Sequence, residues 1–179
     1  WACMTALAAY TLKKPVKLVL KRQEDIRYTG GRNPYTSDFT IGLSGDGKIL
    51  AYEVTFYQNA GASADLSTAI LERSMFHATG SYYIPNVRAT GGSCRTNLPP
   101  NTAFRGFGGP QAMFVMEAAI CKAAAEMGIP PFEIQRANLL SEGDAFPFGM
   151  RTKNCRAKDC FEEARKTFDF ETRRKQIDE

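Results

Sequence analysis

The chain opens on an apolar, alanine-rich run, WACMTALAAYTL, which predicts a helix from its first residues. Pro15 breaks that pattern. VKLVLKR, residues 16–22, is rich in β-branched and leucine positions and predicts a short strand, its wet edge marked by Lys13, Lys14, Lys17, Lys21 and Arg22. QEDIRYTGGRNPY is dense in turn residues and reads as a loop. TSDFTIGL and ILAYEVTFYQNAG then alternate polar with apolar positions on either side of SGDGK, where Asp46-Gly47 suits a tight turn, so the three pieces predict a long β-hairpin. In DLSTAILERSMFH, Leu66, Ile70, Leu71 and Met75 recur at helical spacing, with Asp65 or Ser67 placed to cap. NVRATGGSCRTN predicts a further strand bent at Gly91-Gly92, and it delivers the chain to NTAFRGFGGPQ.

Beyond that loop the period changes to helical. QAMFVMEAAICKAAAEMG, entered at Pro110, predicts a long helix closed by Gly128 and by Pro130 and Pro131, with Met113, Met116 and Ile120 on one core-facing side. PFEIQRANLL and AKDCFEEARKTF predict two more helices. The terminal ETRRKQIDE is a charged stretch to which no element is assigned, and it and the opening without Met point to a piece of a longer polypeptide. Strands first and helices late predict an α+β fold, a hairpin-containing sheet packed with helices, with no internal boundary across residues 1–179.

Composition narrows the function. With 44% hydrophobic residues the chain can bury a sizeable core, and 23 basic residues against 19 acidic, interspersed along the sequence, disfavour a nucleic-acid partner. Five scattered cysteines and a lone His77 lack the paired spacing of a structural zinc site and fit a reducing, cytoplasmic compartment. No apolar run reaches the ~18 residues that would span a bilayer.

The segment Asn101–Gln111 carries the chemistry. Three glycines between Phe104 and Gly109 let the main chain approach a ligand closely, free several amides, and lead into a helix whose N-terminal dipole favours an anionic or electron-rich group. A plain tight turn with Phe104 and Phe107 as anchors is the competing reading of spacing alone. A Walker-type nucleotide loop is excluded, since no GK[ST] follows and the spacing is not GxGxxG.

TNLPPNTAFRGFGGPQ closely resembles the signature of the molybdenum hydroxylases, the xanthine dehydrogenase and aldehyde oxidase family. ALAAYTLKKPVKLVLKRQEDIRYTGGRNPY and LERSMFHATGSYYIPNVRATG also resemble that family, so the likeness runs from about Thr5 to Asp144. It implies a fragment of a molybdopterin-binding domain. It assigns Ala103, Phe104, Arg105 and Gly106 to cofactor contact, with Arg105 near the molybdenum through the cofactor and not as a ligand. It makes Phe107 the platform for a flat substrate ring, and Arg73 the guanidinium that orients a purine and offsets charge developing on its ring. Arg73 favours a purine over a simple aldehyde. The alternatives implied are an aldehyde, nicotinate or other heterocycle hydroxylase, or a non-catalytic module retaining the fold.

The same resemblance implies hydroxylation with oxygen from water, electrons leaving through 2Fe-2S clusters and FAD on other domains or subunits of a dimeric parent. The catalytic glutamate is expected in a segment beyond Glu179, and a second active-site glutamate before Trp1. A fragment without them is expected to show no turnover.

Overall fold

In the computed structural model, which describes residues 1–178, the elements run α1 (Ala2–Leu12), α2 (Arg22–Tyr28), β1 (Tyr35–Leu43), β2 (Ile49–Gly61), α3 (Ser67–Phe76), β3 (Asn86–Arg95), α4 (Gly109–Met127), α5 (Pro131–Asn138), α6 (Ala157–Thr167) and α7 (Phe170–Asp178). The three strands form one sheet in the order β1-β2-β3. β1 and β2 are the predicted hairpin, antiparallel from Tyr35 opposite Gln58 to Leu43 opposite Ile49, and Gly47 takes φ of 80° at its tip. β3 returns parallel to β2, with α3 in the crossover, as a parallel neighbour requires.

Alternation along β2 sorts its side chains. Tyr52, Val54, Phe56 and Gln58 are buried on the helical face, while Glu53 and Thr55 meet Arg88 and Thr90 of β3 on the open face. α4 lays Ala112, Met116, Ala119, Ile120 and Ala123 into the core with Val54, Phe56, Tyr82, Ile84 and Ile134. The alanines allow a close approach to the sheet. Met113 is not part of that face: it is 42% exposed, because the stripe that meets the sheet runs through Ala112, Met116 and Ala119.

Several expectations are corrected. Residues 16–21 hold no regular element and join no sheet among the described residues, so the predicted strand is absent: a run of strand-forming residues becomes a strand only where another backbone accepts its ladder. The predicted loop after it holds α2, whose Lys21 amide donates to Glu24 Oε2 at 2.8 Å while Glu24 and Asp25 lie in the first turn. β3 pairs through Gly91-Gly92 without a break; the register shift lies at its end, opposite Asn59 and Gly61. Gly91 instead leaves room for Leu71 of α3, whose Cδ1 would stand 2.9 Å from a Cβ there. Neither expected cap acts on α3: Asp65 accepts the Thr102 hydroxyl, and Ser67 is the buried first residue of the helix, accepting from Asn33 Nδ2 at 3.0 Å. The charged terminal stretch is helical through Asp178, as α7, Glu179 lying outside the described residues, and Arg165 of α6 is set among the rings of Phe132, Phe161 and Phe170.

Candidate active site at the glycine-rich loop

The loop is a left-handed bend held on both sides. Gly106, Phe107 and Gly108 take φ of 90°, 48° and 96° in succession, an arrangement costly at Phe107, which carries a Cβ. Two turns close it: the Phe107 amide donates to the Phe104 carbonyl at 2.8 Å and the Gly109 amide to the Gly106 carbonyl at 3.0 Å. The glycine at 108 is required by the loop's own seating, since a Cβ there would stand 2.2 Å from the Ile70 carbonyl oxygen. At 106 the neighbour is Pro110, whose Cγ would lie 2.5 Å away. The glycines at 106 and 108 thus also serve packing, against the head of α4 and against α3, while Gly106 itself stays exposed.

Beneath the loop lies a polar network. Ser74 Oγ donates to the Gly108 carbonyl at 3.0 Å or to the Ile70 carbonyl at 3.1 Å, and it meets Tyr35 Oη at 2.8 Å, which in turn accepts Gln58 Nε2 at 3.0 Å. Burial raises the Tyr35 phenol above its ordinary pKa, against the smaller opposing pull of its bonds to Ser74 and Gln58. The stem before the loop is fixed as firmly. Asn101 donates its amide to Ala60 O and its side-chain Nδ2 to Asn59 O, each at 3.0 Å, and a Cβ on Gly61 would come within 2.3 Å of Pro99 O. The Thr102 hydroxyl holds the Asp65 carboxyl below its usual range.

The structure brings the two predicted substrate residues together. Arg73, in the last turn of α3, places its guanidinium carbon 5.7 Å from the centroid of the Phe107 ring, and its side chain is exposed. Ala103, Phe104, Arg105 and Gly106 are also exposed, adjoining that pair along the chain. Among the described residues no acceptor takes the amides of Phe104, Arg105 or Gly106. They lead to the N-terminus of α4, nineteen residues long, whose cap at Gly108 makes no side-chain bond and whose first turn holds no acidic residue. Of its first positions, Gly109 donates its amide to the Gly106 carbonyl and Pro110 has no N–H, so what this end offers a ligand is chiefly its dipole.

Residues that sequence reasoning missed sit around this bend. Arg32, Tyr35, Gln58, Ser74 and Gln111 all hold it, and His77 lies beside Gly109 with Nδ1 2.9 Å from the Arg73 carbonyl. No local pattern marks them, because they come from separate elements and meet only through tertiary contact. Cavity size is no guide either: neither a groove of about 580 Å³ lined by Thr40, Glu53 and Arg88 nor one of about 520 Å³ between β1 and α4 contains any of the predicted site residues.

Residues 1–139 match the model of the molybdopterin cofactor-binding domain. The chain belongs to that family. It is 41% identical over 172 residues to the xanthine dehydrogenase/oxidase of Felis catus and 44% identical over 177 residues to the xanthine dehydrogenase of Oryza sativa subsp. japonica, alignments covering 96% and 99% of this chain. It spans 13% of the length of each relative. Among solved structures it superimposes on aldehyde oxidoreductases of Desulfovibrio desulfuricans (TM-score 0.83, 27% identity, 96% of this chain and 19% of that one) and Desulfovibrio gigas (TM-score 0.80, 29% identity, 93% and 18%). The α+β fold and the molybdopterin cofactor are thus those of the family. The residues present fit such a group: an exposed bend with unspent amides at Phe104, Arg105 and Gly106, the dipole of the helix it leads into and the cation of Arg105 suit the electron-rich oxygen and sulfur atoms of molybdopterin.

Proposed function

We propose that this chain supplies the substrate-orienting and cofactor-contacting residues of a molybdenum hydroxylase that oxidises a purine or related N-heterocycle, such as hypoxanthine or xanthine. The observation that carries the reading is the pairing of Arg73 with Phe107 beside the amide-bearing bend. Ala103, Phe104, Arg105 and Gly106 hold the molybdopterin in this reading, Arg105 lying near the metal without ligating it. When bound, that group supplies the metal and the two-electron redox chemistry by which a water-derived oxygen enters a C–H bond.

The chain's own residues orient the substrate. Phe107 offers an aromatic face whose backbone is fixed by the two turns of the bend and the Ser74 bond to Gly108, so a flat ring laid on it is held at a fixed tilt with little entropy lost. Arg73 offers a planar fork of donors to one edge of that ring. Attack at a ring carbon pushes negative charge onto ring nitrogen and oxygen, and a guanidinium already in place stabilises that charge more in the transition state than in the ground state. An aldehyde lacks the ring that would use either residue. The 41% and 44% identity to xanthine dehydrogenases, against 27% and 29% to the aldehyde oxidoreductases, supports the purine side of that choice.

Arg73→Met in the full-length enzyme carrying this chain tests it. The expected outcome is a fall of roughly 10²–10³-fold in kcat for the purine, the loss that follows removal of one charge-stabilising donor, with turnover of a small aldehyde changed little. Unchanged purine kinetics would move the assignment to an aldehyde or another heterocycle.

A further inference from the structure

We infer that Arg32 is the positioning residue that aims the Gly106 amide at the cofactor, an inference resting on the reading of Ala103–Gly106 as the cofactor contact. Arg32 comes from the short segment between α2 and β1, and that segment has no freedom to drift. The Gly31 carbonyl accepts the Thr102 amide at 3.0 Å, a Cβ on Gly30 would strike Thr102 Cγ2 at 2.6 Å, and the buried Asn33 donates Nδ2 to Asn59 O and Ser67 Oγ, both at 3.0 Å.

From this anchored stem the guanidinium makes three contacts. It lies over the Phe104 ring at 4.6 Å, donates Nη2–H to the Arg105 carbonyl at 2.6 Å, and donates Nη1–H to Gln111 Oε1 at 3.4 Å. Gln111 closes the circuit by donating Nε2–H to Asn33 O at 3.3 Å. Only a planar fork can bond a carbonyl on one nitrogen and an amide oxygen on the other while its face rests on a ring.

The consequence follows from peptide geometry. The Arg105–Gly106 peptide is trans and planar, so its carbonyl and the following N–H point in opposite directions. Drawing the Arg105 carbonyl toward Arg32 turns the Gly106 N–H the other way, and that N–H finds no acceptor in the described chain. Gly106 has no Cβ and φ of 90°, so without the clamp this peptide is the one most free to flip. Arg32 therefore touches neither substrate nor metal; it acts through the bend.

The test uses the full-length enzyme with Arg32→Met, which keeps the stem and removes the donors, Arg32→Lys, which returns a donor and the charge, and Arg73→Met as a comparison. Molybdenum by metal analysis and pterin by fluorescence after release are measured per protomer, beside the thermal midpoint of the cofactor-free protein. Arg32→Met is expected to lose about tenfold in molybdenum and pterin, the scale of an outer partner of a cofactor contact, with the cofactor-free midpoint little changed. Arg32→Lys should recover at least about half of that occupancy, since one donor to the carbonyl suffices to bias the peptide. Should Arg32→Met fail to fold, Arg32→Ala, which likewise has no side-chain donor, replaces it with the same loss expected. Full occupancy in the donor-less variant, or a loss in Arg32→Lys as deep as in Arg32→Met, overturns the inference. Arg73→Met separates it from the substrate reading: intact purine turnover there sinks the substrate assignment alone, whereas full occupancy without Arg32 sinks this one alone.

Discussion

At the scale of single residues, the site depends on where a Cβ is forbidden. Gly108 is left-handed, and its α-carbon faces the Ile70 carbonyl so closely that any side chain must displace either the loop or α3. Gly108→Ala should therefore destabilise the chain by about 2–3 kcal/mol, the range for a residue forced into a left-handed conformation with a backbone clash, measured as a lowered urea midpoint. A loss below about 0.5 kcal/mol, typical of an unconstrained surface change, would mean the loop is not seated on α3 as described. Phe107 shows the opposite economy: it accepts φ of 48° without being glycine, and the structure tolerates this because turns and the Ser74 bond to Gly108 fix the bend around it. The strain leaves an aromatic face beside Arg73.

Between elements, buried phenols set a pH dependence. Tyr35, Tyr52 and Tyr82 all have phenols raised above 10.0, and burial is the leading cause for each; at Tyr82 the Glu117 carboxylate adds to it. The folded state then prefers the neutral phenol. Below about pH 10 both states are protonated and that preference is fully expressed; above it the unfolded chain releases protons first and stability falls. Urea midpoints measured from about pH 9 to about pH 11, one unit on either side of the ordinary phenol value, should fall only from about pH 10 upward, and Tyr52→Phe should flatten the fall. A midpoint flat to the alkaline limit would contradict the burial of these hydroxyls.

The same scale shows what the sequence could reveal. The hairpin, α3, α4 and α5 were legible because each carries its own period, cap or turn residue. The strand at residues 16–22 was misread because VKLVLKR states a propensity while a ladder needs a partner, and α2 was missed because its start is marked by a lysine backbone amide bonded to Glu24 and by no capping side chain. Arg73 and Phe107 were readable through resemblance; the clamp of Arg32, Gln111 and Ser74 was not, since its members lie on different elements.

At the scale of the whole molecule, one sheet face carries α3 and α4 and the glycine-rich bend sits where the end of α3 meets the head of α4. The hairpin fixes Tyr35 and Gln58, β3 leads into the Pro99-Pro100 stem, and α4 sets its N-terminus at the bend. The relatives are far longer than this chain, which covers 13% of them, so the site described is one wall of a larger pocket in the proposal. No described helix is long and apolar enough to cross a membrane.

The most direct measurement is a double-mutant cycle on kcat/KM for a purine in the full-length enzyme, using Arg73→Met, Phe107→Ala and the pair. Two residues that grip one ring should couple by about 1 kcal/mol or more, and the coupling should vanish for a small aldehyde. Losses that add to within about 0.3 kcal/mol for the purine, or single variants that leave its kcat/KM untouched, would contradict a shared substrate site.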